Sequence, residues 1–188
     1  MRKPPTKWII ITFGVICMYL IVLLLQRQHI RMDTPNLEPV TVTNIVDGDT
    51  IDVKQKDDTI VRIRFIGVDT PEMDHYNDTE TICFGALSKK YVETLIHVGD
   101  TVYLEYDIQR IDIYDRTLAY VRTTNDVSTM NNMINHQLVK NGYAINKAFE
   151  PNTIYGDKFQ STFNHALSSK IGLWSEYTPN QIYDNYNK

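Results

Sequence analysis

Two kinds of apolar pattern stand out along this chain. The first is continuous: from Trp8 to Leu25 there is no charge, no proline and a single glycine. That length lies near the lower limit for crossing a bilayer, and the run lacks the polar face that a helix on a globular core would show. The second pattern is alternation. Val40 to Val46 alternates and is rich in β-branched residues, which predicts a strand. A turn follows at Asp47-Gly48-Asp49-Thr50, then a second strand through Ile51 and Val53, and a turn at 56–59. The third strand starts at Ile60, with Val61, Ile63 and Phe65 on one face and Arg62, Arg64 and Ile66 on the other. It runs on through Val68 to a break at Asp69-Thr70-Pro71, because proline has no N–H for a ladder. These three strands read as an antiparallel meander.

Beyond Pro71 the pattern changes period. Residues 74–81 are polar and aperiodic, an exposed loop. Leu87, Tyr91, Val92 and Leu95 recur at helical spacing, predicting a helix that ends near Gly99. Alternation returns at 101–106 and 117–122, giving a fourth and a fifth strand. Ser128 or Thr129 is an expected N-cap for a helix carrying Met130, Met133, Ile134 and Leu138, closed by Gly142. A last helix from about Gly156 places Phe159, Phe163, Ala166 and Leu167 on one face and stops at Gly172. Five short strands with one helix inserted and two following define an α+β chain, compatible with a five-stranded β-barrel of the OB type preceded by a single transmembrane helix. Strand and helix spacing alone leave other α+β arrangements open.

The ends of the chain organise around this domain. Arg2, Lys3 and Lys7 make 1–7 a short basic segment, expected to be cytoplasmic; 8–25 is the anchor; 26–38 is a polar tether; 39–177 is the folded domain; 178–188 is a tail. No small-x-small cleavage pattern follows Leu25, so an uncleaved anchor is favoured over a signal peptide, which would leave a secreted form. Three positive residues before the run against Arg27 and Arg31 after it bias the N-terminus inwards and place the domain outside the cytoplasm. Cys17 falls within the apolar run, and Cys83 is left without an intrachain disulfide partner in the folded part.

Charge narrows the function classes. The whole chain carries −4, and from Glu38 to Lys188 there are 14 Lys and Arg against 22 Asp and Glu, a balance of −8. A protein that holds a polyanion on a basic face has the opposite sign. An OB-type oligonucleotide binder is therefore disfavoured, and any nucleic-acid chemistry must rest on local residues and a metal.

Such residues exist. Asp49 lies in the turn before the second strand and Asp69 at the end of the third, positions that can converge in a meander. With the Thr70 carbonyl they make an oxygen-only site, which suits a hard cation such as Ca²⁺ better than zinc. Alone, Asp47 and Asp49 would be ordinary turn residues; the Asp69-Thr70-Pro71-Glu72 stretch changes that. Glu72, three residues beyond Asp69, is placed to orient a water as general base. Arg64 and Arg116 are two guanidinium groups that could donate bidentately to a phosphodiester as charge grows on its oxygens.

The segments 46–50, 64–72, 112–120, 138–142 and 172–175 (Val-Asp-Gly-Asp-Thr, Arg-Phe-Ile-Gly-Val-Asp-Thr-Pro-Glu, Asp-Ile-Tyr-Asp-Arg-Thr-Leu-Ala-Tyr, Leu-Val-Lys-Asn-Gly and Gly-Leu-Trp-Ser) together resemble the staphylococcal nuclease (thermonuclease) family over about Val40 to Glu176. The resemblance implies an OB-fold barrel and Ca²⁺-dependent hydrolysis of DNA and RNA phosphodiesters, leaving 3′-phosphate ends. It implies that Asp49, Asp69 and Thr70 hold calcium, that Glu72 activates water, and that Arg64 and Arg116 hold the phosphate. Asp47 matches a supporting acid behind the metal, and Tyr114 a tyrosine that contacts the nucleotide phosphate. The chain departs from the archetype in three places. Asp115 stands where the archetype has glycine before the second arginine. The stretch before Pro151 is one residue shorter, so that Phe149 alone offers a ring for stacking. The segment after Gly85 is also shorter.

The reading is thus a membrane-tethered, monomeric Ca²⁺-dependent nuclease acting outside the cytoplasm, with DNA or RNA as substrate and no protein partner. Its rival is a catalytically silent barrel that binds nucleic acid or protein. A silent module has no need to keep two metal-binding acids, a base and two arginines together, and here all five are present.

Overall fold

In a computed structural model, the structure describes residues 16, 18–21, 37–71 and 84–183. The chain divides into two compact units, 1–35 and 36–188. In the first, residues 16 and 18–21 are helical with exposed apolar side chains. Most of the expected anchor, 8–25, lies outside the described residues, and among the described residues no helix is long and apolar enough to cross a membrane.

Among the described residues the second unit has seven strands: β1 (Leu37–Ile45), β2 (Thr50–Lys54), β3 (Ile60–Phe65), β4 (Gly67–Asp69), β5 (Thr101–Glu105), β6 (Thr117–Arg122) and β7 (Ile145–Lys147). Five of them close a barrel in the order β1-β2-β3-β6-β5, an OB-type architecture. The expected alternation is what fills it: Val40, Val42, Ile51, Val53, Ile63, Phe65, Val102, Leu104, Ala119 and Val121 all point inwards and are buried. β1-β2 and β2-β3 pair antiparallel, as the meander predicts, whereas β3 and β6 run parallel, with Ile63 opposite Thr117 and Arg64 opposite Leu118.

Helices α1 (Phe84–Leu95), α2 (Ile134–Lys140), α3 (Gly156–Ser168) and α4 (Pro179–Tyr183) accompany the barrel, with a 3₁₀ turn at Gly172–Ser175. α2 and α3 bury Ile134, Leu138, Val139 and Phe159 in the main core. A second cluster gathers Ala166, Leu173, Trp174 and Ile182.

Several boundaries differ from expectation. β1 starts at Leu37, inside the stretch read as tether, because β5 offers Glu105 and Leu104 as ladder partners for Leu37 and Glu38. The third strand does not run on through Val68. Gly67 adopts φ +76°, and a Cβ there would meet the Phe159 ring at 2.9 Å, so the chain turns and restarts as β4. The helix expected from Ser128 or Thr129 begins only at Ile134, after Met133, with no side-chain cap. The intervening loop is held by competing local bonds: Asp126 accepts from the Ser128 N–H, Thr129 Oγ1 from the Asn131 N–H, and buried Arg122 donates to the Thr129 carbonyl and to Asn132. The segment 178–188 is not wholly a tail, since α4 forms within it and Ile182 is 1% exposed.

Candidate active site

The turn after β1 is shaped for close contact. A Cβ on Gly48 would fall 2.7 Å from Ser88 Cβ and 2.8 Å from Thr70 Cγ2, so only glycine lets the turn sit this near Thr70 and α1. Asp47 Oδ1 accepts from the Asp49 N–H at 3.0 Å, and the Asp49 carbonyl accepts from the Phe65 N–H at 2.9 Å, which ties the turn to the end of β3. Behind β4, the Asn135 side chain donates to the Ile66 carbonyl at 2.9 Å and accepts from the Val121 N–H. The chain just after Arg64 is therefore pinned.

Asp49 and Asp69 converge on Arg64. Its Nη1 lies 2.5 Å from Asp49 Oδ1 and its Nη2 lies 2.7 Å from Asp69 Oδ1. The second Asp49 oxygen accepts from the Thr70 N–H at 2.8 Å and the Thr70 hydroxyl at 2.9 Å. Asp49 is buried, and burial outweighs Arg64, pushing its carboxyl up to about 6, with Asp47 adding to the rise and Thr70 opposing it. The convergence needs the turn after β1, the end of β3 and the start of the loop after β4 at once.

Arg116 reaches the same place by another route. The parallel pairing sets the start of β6 beside the middle of β3, so Arg116, one residue before Thr117, lies near Arg64. Between them a groove of about 760 Å³ is lined by both arginines, Asp69, Asp112, Tyr114, Lys147 and Phe149. Asp112 folds the approach: it accepts from the Tyr114 and Arg116 N–H groups at 2.9 Å and from Arg116 Nε at 2.7 Å. Those bonds hold its carboxyl below the usual carboxylate range against the opposing effect of its partial burial. The Arg116 guanidinium stands 5.3 Å from the centroid of the exposed Tyr114 ring. Asp115 sits at the tip with φ +63°, in the left-handed region where glycine is at ease.

Of the expected site residues, Arg64, Asp49, Asp69, Thr70 and Asp47 come together, and Arg116 and Tyr114 share the groove with Arg64 and Asp69. Glu72 lies outside the described residues. Among the described residues no group of three or more His, Cys, Asp or Glu side chains converges; the pair is Asp49 with Asp69. The donors are anionic and oxygen-only. Arg64 Nη1 is buried and touches Asp49 without a well-formed hydrogen bond, while its Nη2 holds Asp69. Two acids sharing one imperfectly seated cation fit a hard metal ion.

Sequence reading passed over two groove residues. Lys147 arrives by β7, whose three residues are too few to show alternation, paired antiparallel with β4. Its Nζ lies 2.6 Å from Asp69 Oδ2. Asp112 was visible within the motif around Arg116, but its role as loop organiser depends on backbone geometry.

Comparison with known proteins supplies the family. The model described as "Staphylococcal nuclease homologue" matches residues 62–176. A thermonuclease of Staphylococcus intermedius is 32% identical over 172 residues, covering 87% of this chain and 97% of that protein. A thermonuclease of Staphylococcus hyicus is 32% identical over 174 residues, covering 88% and 98%. Endonuclease YncB of Bacillus subtilis (strain 168) is 35% identical over 141 residues, covering 73% of this chain and 62% of that protein. This chain belongs to the staphylococcal nuclease family and is a nuclease, a hydrolase.

Proposed function

We propose that the chain is a Ca²⁺-dependent endonuclease that hydrolyses DNA and RNA phosphodiesters to 3′-phosphate ends, as a monomer tethered outside the cytoplasm. The observation that carries the chemistry is the bridging of Asp49 and Asp69 by Arg64 at the edge of a groove that also holds Arg116. Asp49, Asp69 and the Thr70 carbonyl would hold the metal, with Asp47 behind them. When bound, Ca²⁺ supplies Lewis-acid charge that polarises the phosphoryl group. Arg64 and Arg116 grip the phosphate and meet the charge that builds on its non-bridging oxygens. Tyr114 contacts a neighbouring phosphate. Glu72 takes a proton from the attacking water, the new P–O bond forms, and the bond to the 5′ oxygen breaks. The 3′ side keeps the phosphate, and the departing 5′ oxygen takes up a proton from solvent and leaves as a hydroxyl.

Tethering is motivated by the apolar run 8–25 and the basic residues before it. The test of the chemistry is hydrolysis of end-labelled single-stranded DNA, with Ca²⁺ and then with a chelator. Calcium-dependent cleavage leaving 3′-phosphate ends is expected. Cleavage that persists in chelator, or 5′-phosphate ends, would overturn the mechanism. The tether is tested separately by fractionating cells and treating the intact ones with protease: the domain should stay with the membrane and be digested from outside.

A further inference from the structure

Both oxygens of Asp69 face cations of the chain, Arg64 on one and Lys147 on the other. The two contacts differ in kind. Arg64 is mostly buried, fixed on a barrel strand between two acids, whereas the Lys147 side chain is 45% exposed and reaches over from β7. The register explains the reach. Lys147 pairs with Gly67 in the β4-β7 ladder and Asp69 pairs with Ile145, so the lysine sits diagonally across the ladder from the acid, on the groove side. An exposed ion pair of this sort is weak in water, so a divalent cation seeking Asp69 would displace the ammonium at small cost. The displaced ammonium would then stand free on a flexible stem, in a groove shared with Arg64 and Arg116.

We propose that Lys147 is a substrate-positioning residue that changes partners: it holds Asp69 while the metal is absent and turns to a phosphate of the nucleic-acid strand when the metal takes Asp69. This rests on Asp69 being a metal ligand. Its consequence is that metal loading also uncovers a third cation for the substrate. In a protein with a strongly acidic domain, that makes the groove attractive to a polyanion only when it is ready to act.

The test compares the full-length protein in detergent micelles with Lys147→Met and Lys147→Arg. Calorimetry with Ca²⁺ alone should show Lys147→Met binding about two- to fivefold more tightly, because a competitor for Asp69 is gone. Its KM for single-stranded DNA should rise, with kcat changing less. The slope of log KM against log salt should fall by about 0.7, the loss expected for one phosphate contact on a single strand. Lys147→Arg should restore the salt slope. If Lys147→Met leaves calcium affinity and salt slope at wild-type values, Lys147 is only a structural surface charge and the proposal is wrong. Asp69→Asn keeps the two readings apart: if it binds Ca²⁺ as tightly as wild type, Asp69 is not a ligand and the exchange falls with that assignment. If Asp69→Asn loses calcium while Lys147→Met changes nothing, only the exchange falls.

Discussion

Replacing Asp49 by asparagine should stabilise the metal-free protein near neutral pH while abolishing its response to calcium. Asp49 is 6% exposed, and its carboxyl rises from 3.8 to about 6, burial being the largest cause. The sign follows from linkage. A group whose folded pKa is raised binds its proton more readily in the folded state, so its contribution is present below 3.8 and is lost as pH climbs through about 6. A rise of about 2 units corresponds to about 3 kcal/mol lost by about pH 8. Asparagine removes the buried charge and keeps an oxygen for the Thr70 N–H and hydroxyl, now 2.8 and 2.9 Å away. Against this, Arg64 gives up one carboxylate and retains Asp69. The net gain should therefore fall below that ceiling, at about 1–2 kcal/mol. The assay is urea unfolding in chelator, followed by fluorescence of buried Trp174, on a chain starting at Asn36 in which it is the single tryptophan. The gain at about pH 8 should vanish by about pH 3, where Asp49 is largely protonated in both states. With saturating calcium the order should reverse, because wild type gains binding free energy that the variant lacks. An asparagine variant less stable than wild type by the same amount at both pH values would refute the reasoning, since a lost hydrogen-bond network, rather than a buried charge, would then dominate.

Three further outcomes are expected. Glu72→Gln should lower turnover by about 10²–10⁴-fold with little change in calcium affinity or unfolding midpoint; near-normal turnover would remove Glu72 as the base. Asp115→Gly should stabilise by about 0.5–1 kcal/mol by relieving a left-handed residue and should lower KM by removing an anion beside Arg116, both measurable in one preparation. His136 is 6% exposed and lies beside Phe159 and Thr162; burial lowers its pKa from 6.5, with the charges of Lys140 and Lys158 adding to the fall. Its contribution to stability is thus present above 6.5 and lost as pH falls below, and His136→Gln should flatten the slope of stability with pH in that window.

The barrel strands were legible because each buries one face: the alternation through Val40–Ile45, Ile51–Val53 and Ile60–Phe65 is a direct imprint of an inside and an outside. The motif residues were legible because carboxylates and arginines are rarely gathered without reason around a strand end. Unread features share a cause, which is that they arise between segments. The parallel pairing of β3 with β6, which brings Arg116 to Arg64, leaves no mark in either strand's own pattern. β4 and β7, at three residues each, are too short for periodicity to declare itself, and with β7 Lys147 was missed. The late start of α2 was hidden because Ser128 and Thr129 look like caps, while the chain around them is bonded into a loop organised by a buried arginine. Arg122 itself, paired with Glu105 at 2.7 Å inside the fold, is the polar residue that hydrophobic patterning is least able to place.

The acidic balance that disfavoured an oligonucleotide binder takes on a different meaning once the groove is seen. Among the described residues its charged lining is Arg64, Arg116 and Lys147 against Asp69, Asp112 and Glu150, equal numbers of each sign. Each cation is engaged by an acid: Arg64 by Asp49 and Asp69, Arg116 by Asp112, Lys147 by Asp69. A groove neutralised from within has little pull on a polyanion across an acidic surface. A divalent ion at Asp49 and Asp69 would change the local sum by two charges and free the cations those acids now hold, so metal and substrate should each tighten the binding of the other by the same factor. That reciprocity distinguishes a metal-gated groove from a basic binding surface. In the former, removing calcium should cost substrate affinity even at low salt, where a fixed basic surface would bind best.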